Sequence, residues 1–216
     1  LKTARTSLYC RNDRDATSAH TASSPPFIRE NRQAAAVTDL VLCSGGMDSA
    51  TLAAQLCGTG QTPELYFVDY GQPAAAAERQ SVHAIAVRLS LTVMVAHVGG
   101  LDVPEQGEIT GRNMMLVTLA LAAHPHVRSI GIGIHAGTGY RDCSSDFVDL
   151  AQQVLDFHRD GGCRLVAPFV DWSKADVVAL AVQLDLPIGM TYSCETGDRP
   201  CGSCRSCRDR EALHAG

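Results

Sequence analysis

Two short stretches bring together residue types that do chemistry. The first is SGGMDS, Ser44 to Ser49, which follows the apolar run DLVLC and leads into ATLAAQL. A glycine-rich turn between a strand and a helix aims successive backbone N–H groups at one point. The helix N-terminus adds partial positive charge there. Ser44 and Ser49 flank the turn with hydroxyls that can donate to phosphate oxygens, while Gly45 and Gly46 let the backbone approach. No lysine closes the turn, so it is not a Walker loop. Without a ligand, the same residues make an ordinary strand–helix corner. The second stretch is CETGDRPCGSCRSC, which carries Cys194, Cys201, Cys204 and Cys207. Four thiolates this close suit a closed tetrahedral Zn²⁺ site. An iron–sulfur cluster takes the same donors and stays open as the rival.

Four further segments hold reactive side chains. FVDYGQ sets Asp69, Tyr70, Gly71 and Gln72 at the mouth of an apolar strand, where a carboxylate and an amide can meet a ligand or simply cap a turn. TGRNMML opens an apolar helix with Gly111, Arg112 and Asn113. A buried arginine there calls for an anionic partner, and an exposed one calls for none. GTGYRDCSSDF presents Gly139, Tyr140, Asp142 and Cys143. Lys174 begins SKADVVAL, a place where a lone lysine is most often a surface residue.

These segments need elements to hold them. DLVLCS, ELYFVDY, LTVMVAHV, RSIGIGI and CRLVAP read as strands. Between them lie helical patterns, such as Val82, Ile85, Ala86 and Leu89 at i, i+3, i+4, i+7. Ser144 or Ser145 caps the helix containing Phe147, Leu150, Ala151 and Val154. Ser173 caps the last of the series, with Asp176 three residues on. Continuous apolar strands alternating with helices predict an α/β fold: a five-stranded, doubly wound parallel sheet with a C-terminal four-cysteine motif. Ligands in such sheets bind at the carboxyl ends of the strands. The GRN segment, Lys174 and the cysteines are not placed there by the pattern. Residues 1–36, polar and rich in Ser, Thr and Arg, read as a flexible leader. Residues 37–193 read as the catalytic domain, and 194–216 as a metal-binding segment packed on it.

Composition narrows the class. The chain has 216 residues, 45% of them hydrophobic, and a net charge of −5. That acidic balance argues against a nucleic-acid partner. The longest apolar run, Met114 to Ala123, is too short to cross a bilayer. Of nine cysteines, the five outside the cluster read as small buried hydrophobes. This usage fits a reducing, cytoplasmic compartment.

SGGMDS resembles the pyrophosphatase loop of the N-type ATP pyrophosphatases. With DYGQ, GRN, GYxDC, Lys174 and the four cysteines in order, the chain from Leu40 to Arg210 resembles the QueC-like 7-cyano-7-deazaguanine synthases of queuosine biosynthesis. The resemblance implies ATP cleavage between the α and β phosphates with Mg²⁺. It places Ser44, Gly45, Gly46, Asp48 and Ser49 on the pyrophosphate. Asp69, Gly71, Gln72, Gly111, Arg112 and Asn113 fall on the nucleotide, and Tyr70, Gly139, Tyr140 and Asp142 on the substrate. Asp48, Lys174 and Arg112 become the catalytic residues, and the four cysteines hold zinc. Implied too are a small carboxylate substrate, ammonia and, as in relatives, a homodimer.

The chain departs from that family in places. Only LDVPEQGEIT stands where an insertion is usual, HAGT replaces an acidic stretch, Ser144 replaces an arginine, and PAAAAER lacks the usual basic and polar residues. These departures open other readings. A ligase could join the activated acid to a bulkier amine, such as one on a protein. A tRNA-modifying sulfurtransferase and a non-enzymatic nucleotide- or zinc-binding module are the others.

Overall fold

A computed structural model of the protein describes residues 37–105 and 109–214. The expected leader, residues 1–36, lies outside the described residues. Five parallel strands form one sheet: β1 (Leu40–Leu42), β2 (Glu64–Asp69), β3 (Val93–His97), β4 (Ser129–Ile132) and β5 (Arg164–Val166), in the order β3-β2-β1-β4-β5. Leu42 of β1 pairs with Tyr66 on one side and Ile132 on the other. Helices α1 (Met47–Gly58), α2 (Ala75–Leu89), α3 (Arg112–Ala123), α4 (Ser145–Arg159) and α5 (Lys174–Gln183) make the crossovers and a final turn of packing. A last helix, α6 (Arg205–His214), follows the cysteine segment.

Successive strand residues point to opposite faces, so each strand feeds two cores. Val41, Leu65 and Phe67 pack under Leu52, Leu56, Val82, Ile85, Val177 and Leu180 of α1, α2 and α5. Leu40, Leu42, Tyr66, Ile130 and Ile132 pack under Val117, Phe147, Ala151 and Leu155 of α3 and α4. This is the doubly wound sheet expected from the continuous apolar strands. β3 differs: it is one of the two edge strands, and none of its residues is fully buried, with Met94 38% exposed. Both predicted caps are present. Ser144 Oγ accepts from Phe147 N–H, and Ser173 and Asp176 form a full capping box. Among the described residues, no helix is long and apolar enough to span a membrane.

The strand order positions the site. The chain steps outward from β1 through β2 to β3, then returns to the other side of β1 as β4. The loops after β1 and β4 therefore part, and leave a crevice at the carboxyl ends of the strands. β4 ends against the start of α1. A Cβ on Gly133 would lie 2.9 Å from Asp48 C and O and from Ser49 N. Backbone cannot yield as a side-chain tip does. Gly133→Ala is expected to cost about 1–3 kcal/mol of stability in urea denaturation, and to reduce pyrophosphate release further by displacing Asp48.

Candidate active site and metal centre

A cavity of 280 Å³ fills that crevice. Its floor is Leu42, Tyr66 and Val68, the ends of the central strands. The SGGMDS turn forms one wall. Gly45 takes a positive φ of 76°, where glycine alone is unstrained, and Gly46 is the N-cap of α1 with no side-chain cap. Ser44 Oγ accepts from Gly46 N–H at 3.3 Å. Ser49 is buried and donates its hydroxyl to Gly46 O at 3.1 Å. The result is an uncapped helix start beside two hydroxyls, which can receive an anion.

Asp48 lies in the first turn of α1, with Lys174 Nζ 2.6 Å from its Oδ1. These residues stand 126 apart in sequence, and the Ser173 cap sets the lysine at the start of α5. Arg112 and Asn113 open α3 and line the cavity opposite. Tyr70 lies beside Arg112. Burial raises the Tyr70 phenol, and the guanidinium partly offsets that rise. Gln72 is fixed at both ends: Oε1 accepts from Tyr70 N–H at 2.9 Å, and Nε2 donates to Val68 O at 3.2 Å.

The structure thus gathers Ser44, Gly46, Asp48, Ser49, Tyr70, Gln72, Arg112, Asn113 and Tyr140 at one cavity. Lys174 borders it through Asp48 and a smaller adjoining pocket. Gly45, Gly71 and Gly111 shape the turns, each at positive φ. Asp69 accepts from Gly71 N–H at 3.1 Å and faces His97 Nδ1 at 3.4 Å, off the cavity lining. Asp142 turns toward α3: its Oδ2 accepts from Asn113 N–H at 3.2 Å and its C=O from Asn113 Nδ2 at 2.9 Å. Gly139 lies outside the lining, its Cβ position 3.7 Å from Arg205 Nη1. Cys143 is buried with a raised pKa from that burial, and Asn113 Nδ2 points at its sulfur. A packing role accounts for it.

Other lining residues had not been marked by sequence reasoning. Glu78, in the first turn of α2, accepts from Gln72 Nε2 at 2.7 Å. Burial raises its pKa, Gln72 and Arg112 oppose the rise, and Asp69 and Asp198 add to it. An acid raised in the folded state stabilises the fold below its unfolded pKa, and that contribution is lost as pH rises through the folded value. Glu78→Gln is therefore expected to raise the melting temperature at pH 7, and to bring no gain at pH 4. Thermal melts at both values check this. The signal available in sequence was an acid two turns past Gln72, which looks like an ordinary helix-start residue.

The remaining wall comes from the cysteine segment, through Tyr192, Ser193, Glu195 and Ser206. Tyr192 N–H donates to Gly45 O at 2.8 Å. Asp198 Oδ1 accepts from Ala77 N–H at 3.1 Å, Ser206 Oγ donates to Glu195 Oε1 at 2.6 Å, and Arg205 donates to Gly137 O. The segment therefore touches the SGGMDS turn, the start of α2 and the loop after β4.

The thiol sulfurs of Cys194, Cys201, Cys204 and Cys207 all lie within 4.8 Å of one another, with Cys201 and Cys207 at 4.0 Å. Tetrahedral Zn–S bonds near 2.3 Å require S···S separations of roughly 3.8 Å. Backbone N–H groups point at the sulfurs: Cys201 N–H at Cys194 (3.4 Å), Cys204 N–H at Cys201 (3.2 Å) and Cys207 N–H at Cys204 (3.4 Å). Donors of this kind stabilise thiolate charge. Hydrogen bonds from Ser203 and Thr196 hold Cys201 down at about 5, whereas burial pushes Cys207 up to about 12. The donor set and its spacing fit one tetrahedral ion.

Comparison with known proteins agrees with this geometry. The family profile described as queuosine biosynthesis protein QueC matches residues 38–103 and 101–215. A 7-cyano-7-deazaguanine synthase from Synechococcus sp. (strain RCC307) is 37% identical over 206 aligned positions, covering 81% of this chain and 93% of that one. The synthase of the same name from Rhizobium rhizogenes is 33% identical over 207, covering 81% and 86%. Among solved structures, NMN synthetase from Francisella tularensis aligns over 74% of this chain and 66% of that one, at 16% identity and a TM-score of 0.47. With the SGGMDS turn, the strand-mouth DYGQ and the four thiols held around one crevice, and with matches that span nearly all the described residues, the chain belongs to the QueC family of enzymes.

Proposed function

We propose that the protein is an ATP-dependent carbon–nitrogen ligase acting on 7-carboxy-7-deazaguanine. ATP adenylates the carboxylate and releases pyrophosphate. Ammonia displaces AMP to give the amide. A second ATP activates the amide, and loss of AMP leaves the nitrile. The observation that carries this reading is the uncapped SGGMDS turn with the Asp48–Lys174 pair beside it, in a chain of this family. A carboxylate is a poor electrophile, and adenylation supplies the leaving group. The protein's part is to position the reactants and to stabilise the departing charge. Helix α1, Ser44 and Ser49 face the pyrophosphate, Arg112 adds positive charge, and Tyr70 and Tyr140 line the acceptor side. Mg²⁺ arriving with ATP supplies charge neutralisation on the phosphates. Zinc in the four-thiol site fixes the wall that carries Glu195 and Ser206. The expected result is AMP, pyrophosphate and nitrile from ATP, the carboxylate and ammonia, read by mass spectrometry. Absence of pyrophosphate release with this acid would sink the reading.

A second reading changes only the amine. The family match comes in two pieces that meet at residues 101–103. The alignment to the Synechococcus relative runs over 206 positions yet takes in 81% of these 216 residues. The relative therefore carries residues that this chain lacks. A shorter cover between β3 and α3 favours entry of a larger amine, such as one on a protein, with the reaction ending at an amide. Nitrile formation at a useful rate rules this out. Iron and labile sulfide in place of zinc would instead favour a tRNA sulfurtransferase, against which the net charge of −5 argues.

A further inference from the structure

The Asp48 carboxylate is approached from two sides. Lys174 Nζ lies 2.6 Å from Oδ1, and His135 Nε2 lies 3.7 Å from Oδ2. His135 follows β4, in the HAGT stretch, and is 5% exposed. Its Nδ1 accepts the Gly137 N–H at 3.0 Å. An amide N–H can only donate, so Nδ1 carries the lone pair and the ring proton sits on Nε2, toward Asp48. Gly137 passes so close that a Cβ there would be 2.9 Å from His135 Nδ1. Ala136 N–H donates to Trp172 O at 3.1 Å, which ties this loop to the residues that open α5. Both partners of Asp48 therefore stand on one connected support. The charged groups around the ring are Asp48 of α1, Lys174 of α5, and Arg205 and Asp209 of α6. Burial favours the neutral ring, Asp48 opposes that, and Lys174 and Arg205 reinforce it.

We propose that His135 is a positioning residue for ATP cleavage: its Nε2–H steadies Oδ2 of Asp48, so that Oδ1 keeps the Lys174 ammonium at the phosphate side of the cavity. This rests on the ATP-cleaving reading above. The 3.7 Å separation is beyond hydrogen-bond range, and contacts of this kind in ligand-free sites tighten when substrate binds. A different role for an imidazole here would be general base toward ammonia. The tautomer opposes it, because Nε2 already carries the proton and Nδ1 is taken by Gly137.

The test compares His135→Gln with His135→Leu in ATP–pyrophosphate exchange driven by 7-carboxy-7-deazaguanine. A glutamine amide can donate where Nε2–H does, and leucine cannot. The Leu variant is expected to lose about 10- to 100-fold in kcat, with KM for ATP within about threefold. Gln is expected to recover to within about fivefold of the parent. In an Asp48→Asn background the Leu change should add less than about twofold, because it acts through Asp48. Equal losses in Gln and Leu, or the full further loss in the Asp48→Asn background, overturn the proposal. A second measurement needs neither turnover nor a variant: ¹⁵N NMR of the His135 ring. The Nε2–H tautomer is expected, and the Nδ1–H tautomer overturns the proposal. If the parent protein shows no exchange with this acid, the functional reading fails while the ring measurement still decides the geometry.

Discussion

Asp48→Asn is expected to lower ATP–pyrophosphate exchange by about 10²–10³-fold, while the melting temperature stays within a few degrees. The Asp48 carboxylate, in the first turn of α1, holds the Lys174 ammonium at 2.6 Å from its Oδ1, beside the turn proposed to receive the phosphates. Asparagine fills the same space but cannot neutralise the lysine, which then leaves that position. Stability depends on Asp48 far less. Its side chain is 28% exposed, and an acid in the first helical turn is worth only about 0.3–1 kcal/mol. Lys174→Met is expected to fall nearly as far, and the double variant little further, because the two residues act as a unit. Steady-state exchange assays beside thermal melts separate lost chemistry from lost fold. Full activity in Asp48→Asn would remove the turn's acid from the mechanism.

Removing the metal should have the second large effect. Cys201→Ser, or prolonged chelation, is expected to leave the sheet folded and to weaken ATP binding by more than about tenfold. The reason is placement. Both hydrophobic cores consist of residues that precede the cysteine segment, none of them beyond Leu186. Glu195 and Ser206 line the cavity but lie between the four clustered cysteines, so an ion held there would set their positions. Metal content by elemental analysis, ATP affinity by calorimetry and limited proteolysis around residue 200 read the three consequences separately. One zinc per chain in the parent, none in the variant and a new cleavage site there are the expected pattern. Unchanged ATP affinity after complete metal loss would show that the segment is not part of the nucleotide wall.

Much of this arrangement was legible in the chain. Leu40–Leu42 before SGGMDS fixed a strand–turn–helix corner, because a continuous apolar run must be buried on both faces. Ser173 and Asp176 marked the start of α5, and four close cysteines can scarcely avoid one another. What was not legible depends on strand order. Nothing in the local pattern says that β4 returns beside β1. The approach of Gly133 to Asp48, and of His135 to the same carboxylate, had no local signature. Asp142, expected at the substrate, also fastens the start of α3, a contact that nothing in its local sequence announces. Glu78 was passed over because a helix-start acid is common and its burial is set by elements far away in sequence. The partial exposure of β3 was likewise hidden, since its apolar residues look the same on an edge as in the middle.

The order of the parts along the chain carries a consequence for how the enzyme comes into being. The sheet is complete at Val166, whereas the residues that finish the cavity, Tyr192 to Ser206, follow it. A ribosome adds about 5–20 residues per second, so the closing wall is synthesised seconds after the last strand. During that interval the SGGMDS turn lacks its facing wall and the four thiols are not yet together. If the four thiols take up an ion, as proposed, that uptake comes after the strands have been made. On that reading, a shortage of the ion would leave the sheet intact and the cavity without its last wall.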